Sequence, residues 1–162
     1  MKHEHGDHAN MDGTMASKNY AALGIGSIIM LILMYLVMFT MIYSLGEFIQ
    51  NINFFYMAIM MATPMTVMMP LMMGGMYPDR KLNMAIYGIC ALLFVAAFIG
   101  IRTQALVGDN QFLKSMIPHH SGAILMCEEA KLHDPEVQAL CGGIIQAQKD
   151  EIAQMKAILA RL

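Results

Sequence analysis

The chain has 162 residues, 57% hydrophobic and only 14% charged, with a formal net charge of −2. That balance excludes a nucleic-acid binder held by a basic surface, and it excludes an ordinary soluble domain, where about a quarter of residues are charged. The 20 methionines and the absence of tryptophan are the other compositional marks.

In chain order, the first element is a polar tail, residues 1–19, expected to be flexible because it has little to bury. His3, His5, His8, Met11 and Met15 form a loose ligand series along it. Such a tract either binds copper, zinc or nickel weakly or simply stays solvated, and its spacing matches no stringent motif.

A membrane region, residues 20–103, follows. Tyr20–Leu45, Ile52–Tyr77 and Asn83–Ile101 contain no Asp, Glu, Lys or Arg. Each is long enough for a helix to cross a hydrocarbon core, which takes about 20 residues. The first run is too long for the apolar region of a signal peptide. Three transmembrane helices are therefore expected, at 20–45, 52–77 and 83–101. The turn between the second and third runs carries Arg80 and Lys81, whereas the loop between the first two carries Glu47 and no cation. By the positive-inside rule the N-terminus is cytoplasmic and the chain after Ile101 is extracytoplasmic, with Arg102 the one opposing charge. The expected location is the cytoplasmic (inner) membrane of a bacterium, with the C-terminal part in the periplasm.

Methionines in this region recur at helical spacing: Met30, Met34, Met38 and Met41 in the first run, and Met57, Met61, Met65, Met68, Met72 and Met76 in the second. At about 100° per residue each set stays on one face. The two faces either form a thioether seam suited to Cu(I) or Ag(I), or pack as flexible gap-fillers. The absence of a carboxylate, histidine or lysine in the spans argues against a pump or secondary transporter. Pro64 and Pro70 are expected to kink the second span, and Cys90 reads as a small buried apolar residue.

The remaining chain, residues 104–162, reads as an extracytoplasmic two-helix domain. Phe112, Leu113, Met116, Ile117, His120, Ile124 and Cys127 recur at helical spacing, giving a helix from about Asp109 to Lys131 with Asp109 as N-cap and a bend or a break at Pro118. His133-Asp134-Pro135 makes the turn, with Asp134 capping and Pro135 in the first helical position. The second helix runs from about Pro135 to Ala160, with Val137, Cys141, Ile144, Gln148, Ile152, Met155 and Leu159 as its stripe. Gly142 and Gly143 cost about 1 kcal/mol each in a helix, so close packing is expected to use them. Two such helices bury too little alone. A second copy would complete a four-helix bundle, so a homodimer or higher oligomer is expected.

The chemistry centres on Met116-Ile117-Pro118-His119-His120. Met116 and His120 share a helix face, while His119 points about 100° away from His120. With Met155 from the second helix they make a soft-metal set. His120 on the apolar stripe can equally hydrogen-bond Gln148 or Glu151 and fix the register of the two helices.

Asp109, Phe112, the Met116–His120 run, Ala123-Ile124 and Met126, followed by Ile144-Ile145, Gln148, Glu151-Ile152 and Met155, resemble the two-helix pattern of the domain of unknown function 305 family, over about residues 106 to 162. The resemblance implies an all-α, ferritin-like helical fold, exported or membrane-anchored, with copper binding and resistance associated with some members. Carried over by position, Met116, His119, His120, Met126 and Met155 become candidate metal ligands, and Asp109, Gln148 and Glu151 become candidate ligands or groups that support the ligands. Cys127 and Cys141 sit at similar distances from the turn, which permits a disulfide, a Cu(I)-thiolate site with His133, or two free thiols.

A di-iron oxidase needs a Glu-x-x-His pair from each of two helices, and neither terminal helix has one. The Cys-x-x-Cys of a thiol oxidoreductase is absent too. The leading expectation is thus a non-enzymatic, membrane-anchored protein that buffers or delivers copper or silver outside the cytoplasm, with Cu(I) the favoured ion and other metal-handling proteins as possible partners. The alternative is an oligomeric membrane module, structural or partner-binding, without metal chemistry.

Overall fold

The structure, a computed structural model, describes the backbone from residue 4 to residue 162 and side chains from residue 14 onward. All regular structure among the described residues is helical: α1 (Glu4–Val37), α2 (Ile52–Met72), α3 (Arg80–Thr103), α4 (Asp109–Glu129) and α5 (Pro135–Leu159). Helix α1 starts inside the segment expected to be a flexible tail. Thr14–Met41, Ile52–Met72 and Arg80–Thr103 are long and apolar enough to cross a membrane, as the three uncharged runs require.

The first run ends earlier as an α-helix than its hydropathy suggests. Helix α1 stops at Val37, and a 3₁₀ turn covers Met38–Met41. Beyond it Ser44 and Glu47 form a capping box: Ser44 Oγ accepts from Gly46 N at 3.3 Å, and Glu47 Oε2 accepts from Ser44 N at 3.1 Å. This Ser-x-x-Glu arrangement satisfies backbone donors locally and fixes a turn where a continuing helix would have no use for the carboxylate. The second run likewise ends as an α-helix at Met72, before the 3₁₀ turn Gly74–Met76. Pro64 and Pro70 lie within one unbroken α2, in which the Thr63 hydroxyl donates to the carbonyl of Ile59 at 2.9 Å.

The chain forms two compact units. One comprises α1 as far as Met34 together with Met57–Ile99. Polar bonds tie its helices: Thr66 Oγ1 donates to Ser27 Oγ at 2.9 Å, Tyr20 Oη donates to Asn83 Oδ1 at 2.8 Å, and Asn19 Nδ2 donates to the Met76 carbonyl at 3.1 Å. Met30, Met65, Met69 and Met76 line a groove of about 340 Å³ between α1 and the second run. Met65, Met69 and Met76 are themselves exposed, as are Met57, Met61, Met68 and Met72, which do not line this groove, so the methionine faces meet only in part. Cys90 is buried and free, as a small apolar residue should be.

The second unit joins Tyr35–Tyr56 to Gly100–Leu162. The α4–α5 hairpin is thus not a separate two-helix layer, because the loop between the first two spans packs onto it. Ile117, Ile124 and Ile152 form the core, with Ile49 from the loop and Ile145, Met155 and Leu159 from α5 packed against them. Burial of each such side chain is worth about 1.5–3 kcal/mol. Beside this core, Phe39 sits among Tyr35, Phe48 and Phe54 at ring distances of 5.5, 4.2 and 5.0 Å. Gly100 lies under the Tyr56 ring, where an added Cβ would meet ring carbon at 3.0 Å. The Tyr56 hydroxyl donates to the Ala105 carbonyl at 2.8 Å, anchoring the α3–α4 connection, in which Gln104 and Leu106 adopt left-handed backbone.

Helix α5 begins as expected, with Asp134 Oδ1 accepting from Glu136 N (2.8 Å) and Val137 N (3.1 Å) and Pro135 in the first turn. Helix α4 differs in two ways. Gly108, not Asp109, occupies its N-cap and Asp109 falls in the first turn, and Pro118 is buried within a helix that continues through it, so the chain does not break there. Gly142 and Gly143 have open space where a Cβ would stand, so nothing among the described residues packs closely on them.

Candidate functional site

The Met-Ile-Pro-His-His run lies on α4, with Ile117 and Pro118 turned into the hairpin. The next residues divide. His120 is 8% exposed, whereas His119 faces solvent. His120 Nδ1 lies 2.9 Å from the Met116 carbonyl oxygen, one turn back, and Nε2 lies 2.7 Å from Glu151 Oε2 on α5. The Met116 carbonyl only accepts, so Nδ1 carries a proton. The Nε2 contact then needs a second proton, on the ring or on the carboxyl. With the ring protonated this is an ion pair between the two helices, its Glu151 side about half exposed. Both ring nitrogens are occupied, so binding a metal through His120 would cost one of these bonds.

The other candidate ligands separate into two sets. Met155 packs on the core, and Met116 and Gln148 are half-buried beside the inward set. His119 and Met126 are exposed and seven residues apart, hence on one outward face of α4. Asp109 is exposed at the start of α4, ten residues before His119. The His119 and His120 rings lie 6.0 Å apart but diverge in their surroundings. Among the described residues no three His, Cys, Asp or Glu side chains come together to hold a metal ion, so these types alone do not assemble a site in one copy. Cys127 and Cys141 are joined in a disulfide with Cα atoms 5.3 Å apart. While it stands neither sulfur is a thiolate ligand, and His133 is left exposed in the turn. His3 lies outside the described residues, as do the side chains of His5, His8 and Met11.

A second polar cluster was not foreseen. Ser121, directly after the two histidines, is fully buried and donates to Glu47 Oε2 at 2.6 Å. Ser121 Oγ accepts from Tyr43 N, also at 2.6 Å, and Lys156 Nζ from α5 reaches Glu47 Oε1 at 3.3 Å. One buried carboxylate thereby joins the loop, α4 and α5. Next to it a Cβ on Gly122 would meet the Met41 carbonyl oxygen at 3.4 Å, so the loop backbone lies close to α4. The one sequence signal was Ser44-x-x-Glu47, which marks a turn but not what the turn docks on.

An outer pair ties the same three elements. Lys149 Nζ donates to Glu128 Oε1 at 2.9 Å and sits 5.4 Å from the centre of the Tyr43 ring. This hydrogen bond holds the Glu128 carboxyl below the usual carboxylate range and raises Lys149 above the usual lysine range. The pair's contribution is therefore present through the neutral range. It is lost as pH falls through the lowered Glu128 value or rises through the raised Lys149 value.

These features define a class: an all-α protein with three candidate membrane spans and a helical hairpin clasped by the loop between the first two. The chain belongs to the family described as "Domain of unknown function (DUF305)", which matches residues 99–159. It is also 36% identical over 118 residues to the uncharacterized protein L153 of Acanthamoeba polyphaga mimivirus, covering 72% of this chain and 76% of that relative. That alignment is longer than residues 99–159 and so includes chain outside the family match. No solved structure matches the chain.

Proposed function

We propose that the protein is a membrane-anchored soft-metal-binding protein that buffers or delivers copper or silver outside the cytoplasm, with His119 and Met126 rather than His120 presenting the first ligands. The observation that supports this reading is the division on α4, where His119 and Met126 share an exposed face while both nitrogens of His120 are engaged. Imidazole and thioether together favour Cu(I). Seven residues of helix span about 10 Å, too far for one ion to bridge within a copy. A second α4 packed antiparallel would set His119 of one copy beside Met126 of the other. Phe112, half exposed and seven residues before His119, would supply apolar contact on the same face. This arrangement ties the metal reading to a homodimer or higher oligomer and to a ferritin-like four-helix bundle.

The test is a competition titration of full-length protein in detergent with Cu(I) kept reduced by ascorbate. Wild type should bind more tightly than micromolar, and His119→Ala should weaken binding by about tenfold or more. His120→Ala should instead lower thermal stability, by about 1–2 kcal/mol for the lost bonds, while holding Cu(I) nearly as well. Equal affinity in wild type and a His119→Ala/Met126→Leu double variant would defeat the ligand assignment.

A second reading, an oligomeric membrane module without metal chemistry, is favoured by the His120–Glu151 bond, which suffices to explain an inward histidine as a register pin. An unchanged melting temperature on adding Cu(I) or Ag(I) would support it.

The membrane orientation in this reading places the N-terminus in the cytoplasm and the hairpin in the periplasm of a bacterial inner membrane. Arg80 and Lys81 in the α2–α3 turn support it, and so does the disulfide, which suits an oxidising compartment. An exported-only enzymatic reporter should be active when fused at residue 162 and silent at residue 10. The reverse pattern overturns the orientation.

A further inference from the structure

Where α2 begins, the second unit carries an open groove of about 540 Å³ lined by Tyr35, Gln50, Asn51, Phe55, Gln111 and Lys114, among others. Apart from Gln50, whose amide offers both a donor and an acceptor, its polar groups are biased toward donors. Lys114 is half-buried and makes no ion pair among the described residues. The Tyr35 hydroxyl accepts from Asn51 N at 3.2 Å, leaving its own proton to donate outward. Gln111 Oε1 accepts from Ile52 N at 3.2 Å, which fixes the amide so that its NH₂ end is the one to spare. Asn51 is spent on the backbone, donating to the Ile49 carbonyl at 3.2 Å and accepting from Phe54 N at 2.9 Å. Among the described residues no carboxylate lines the groove. An ammonium, a phenol proton and an amide NH₂ around one opening complement a tetrahedral oxyanion.

The position of the groove in the chain narrows the choice of anion. Ile52 is the first residue of the second candidate span, and Tyr35 lies in the last two turns of the first, Thr14–Met41. The groove thus sits where both apolar spans give way to the polar loop, the level at which tyrosine and lysine meet lipid headgroups. Phe55, one turn into the span, is 45% exposed and offers an apolar wall leading away from the polar end. We infer that this groove holds the phosphate of a membrane phospholipid, with Lys114 as the charged anchor, Tyr35 and Gln111 as neutral donors, and an acyl chain along Phe55. Such a site would fix the hairpin against the bilayer surface, and it does not depend on the metal reading.

Native mass spectrometry of the full-length protein in detergent, titrated with phosphatidylglycerol, tests it. Wild type should retain this lipid well above an uncharged galactosyl diacylglycerol, and melt at a higher temperature with it. Lys114→Met should cut retention by about fivefold, the effect of one lysine at an anionic surface. Lys131→Met, which removes the same charge from the exposed α4–α5 turn, should leave retention unchanged. Equal retention of the charged and uncharged lipids by wild type would overturn the proposal without recourse to any variant, and so would full retention by folded Lys114→Met. Displacement of the lipid by inorganic phosphate at equal concentration would also overturn it, in favour of a soluble anion.

Discussion

Glu47→Ala should destabilise the hairpin unit by about 2–4 kcal/mol, although the residue lies in a loop between two candidate membrane spans. The carboxylate is 8% exposed and accepts from Ser121 Oγ, Ser44 N and Lys156 Nζ. Removing it orphans the hydroxyl proton of a fully buried serine and a part-buried backbone N–H, at about 1–3 kcal/mol for each buried group. The Lys156 contact adds less. That side chain is 40% exposed, so its ammonium recovers water, and its share is at most about 1 kcal/mol. Glu47→Gln, which keeps an acceptor for Ser121, should lose roughly half as much as alanine. Thermal unfolding of full-length protein followed by far-ultraviolet circular dichroism gives the stability change, and protease cutting between residues 42 and 50 reports release of the loop. A Glu47→Ala protein that melts with wild type and resists cleavage would show that the loop contributes nothing to the hairpin.

This docked loop marks the limit of what the residues alone reveal. The spans were legible because bilayer thickness demands long uncharged runs. Their ends were not, because hydropathy keeps scoring Met38–Leu45 as membrane while Ser44 and Glu47 close a turn there. The hairpin was legible from its 3.6-residue stripe and from Asp134-Pro135. The inward direction of His120, with Glu151 as one of its two candidate partners, followed from the same stripe. The pairing of Glu47 with Ser121 spans 74 positions, and each residue is ordinary where it stands, a loop carboxylate and a helical serine. Glycine misled for a related reason. A helical glycine announces a cost but not which surface approaches it. The loop lies against Gly122, whereas Gly142 and Gly143 face open space among the described residues. The two-helix stripe also left unfilled surface that a second copy was expected to cover, and Ile49 from the loop covers part of it.

Reduction of the Cys127–Cys141 bond should cost about 3 kcal/mol, the amount associated with closing a loop of about 15 residues; here the cysteines are 14 positions apart. The location of the bond argues for an effect of this size. Ile117, Ile124 and Ile152 concentrate the core away from the turn, while Met126, Val137 and Leu140, which flank the disulfide, are 59%, 41% and 63% exposed. Little apolar burial holds the turn end of α4 and α5 together, so the covalent link restrains chain that packing does not. Cys127→Ser and Cys141→Ser should each show the loss, and the double variant should lose about as much as either single one, because both remove the same bond. Alkylation of denatured protein provides the chemical check. Without reductant only Cys90 should react, and after reduction all three cysteines should. Three alkylations in unreduced protein would remove the disulfide from this account. They would also return Cys127 and Cys141, with His133 in the turn between them, to the set of candidate soft-metal ligands.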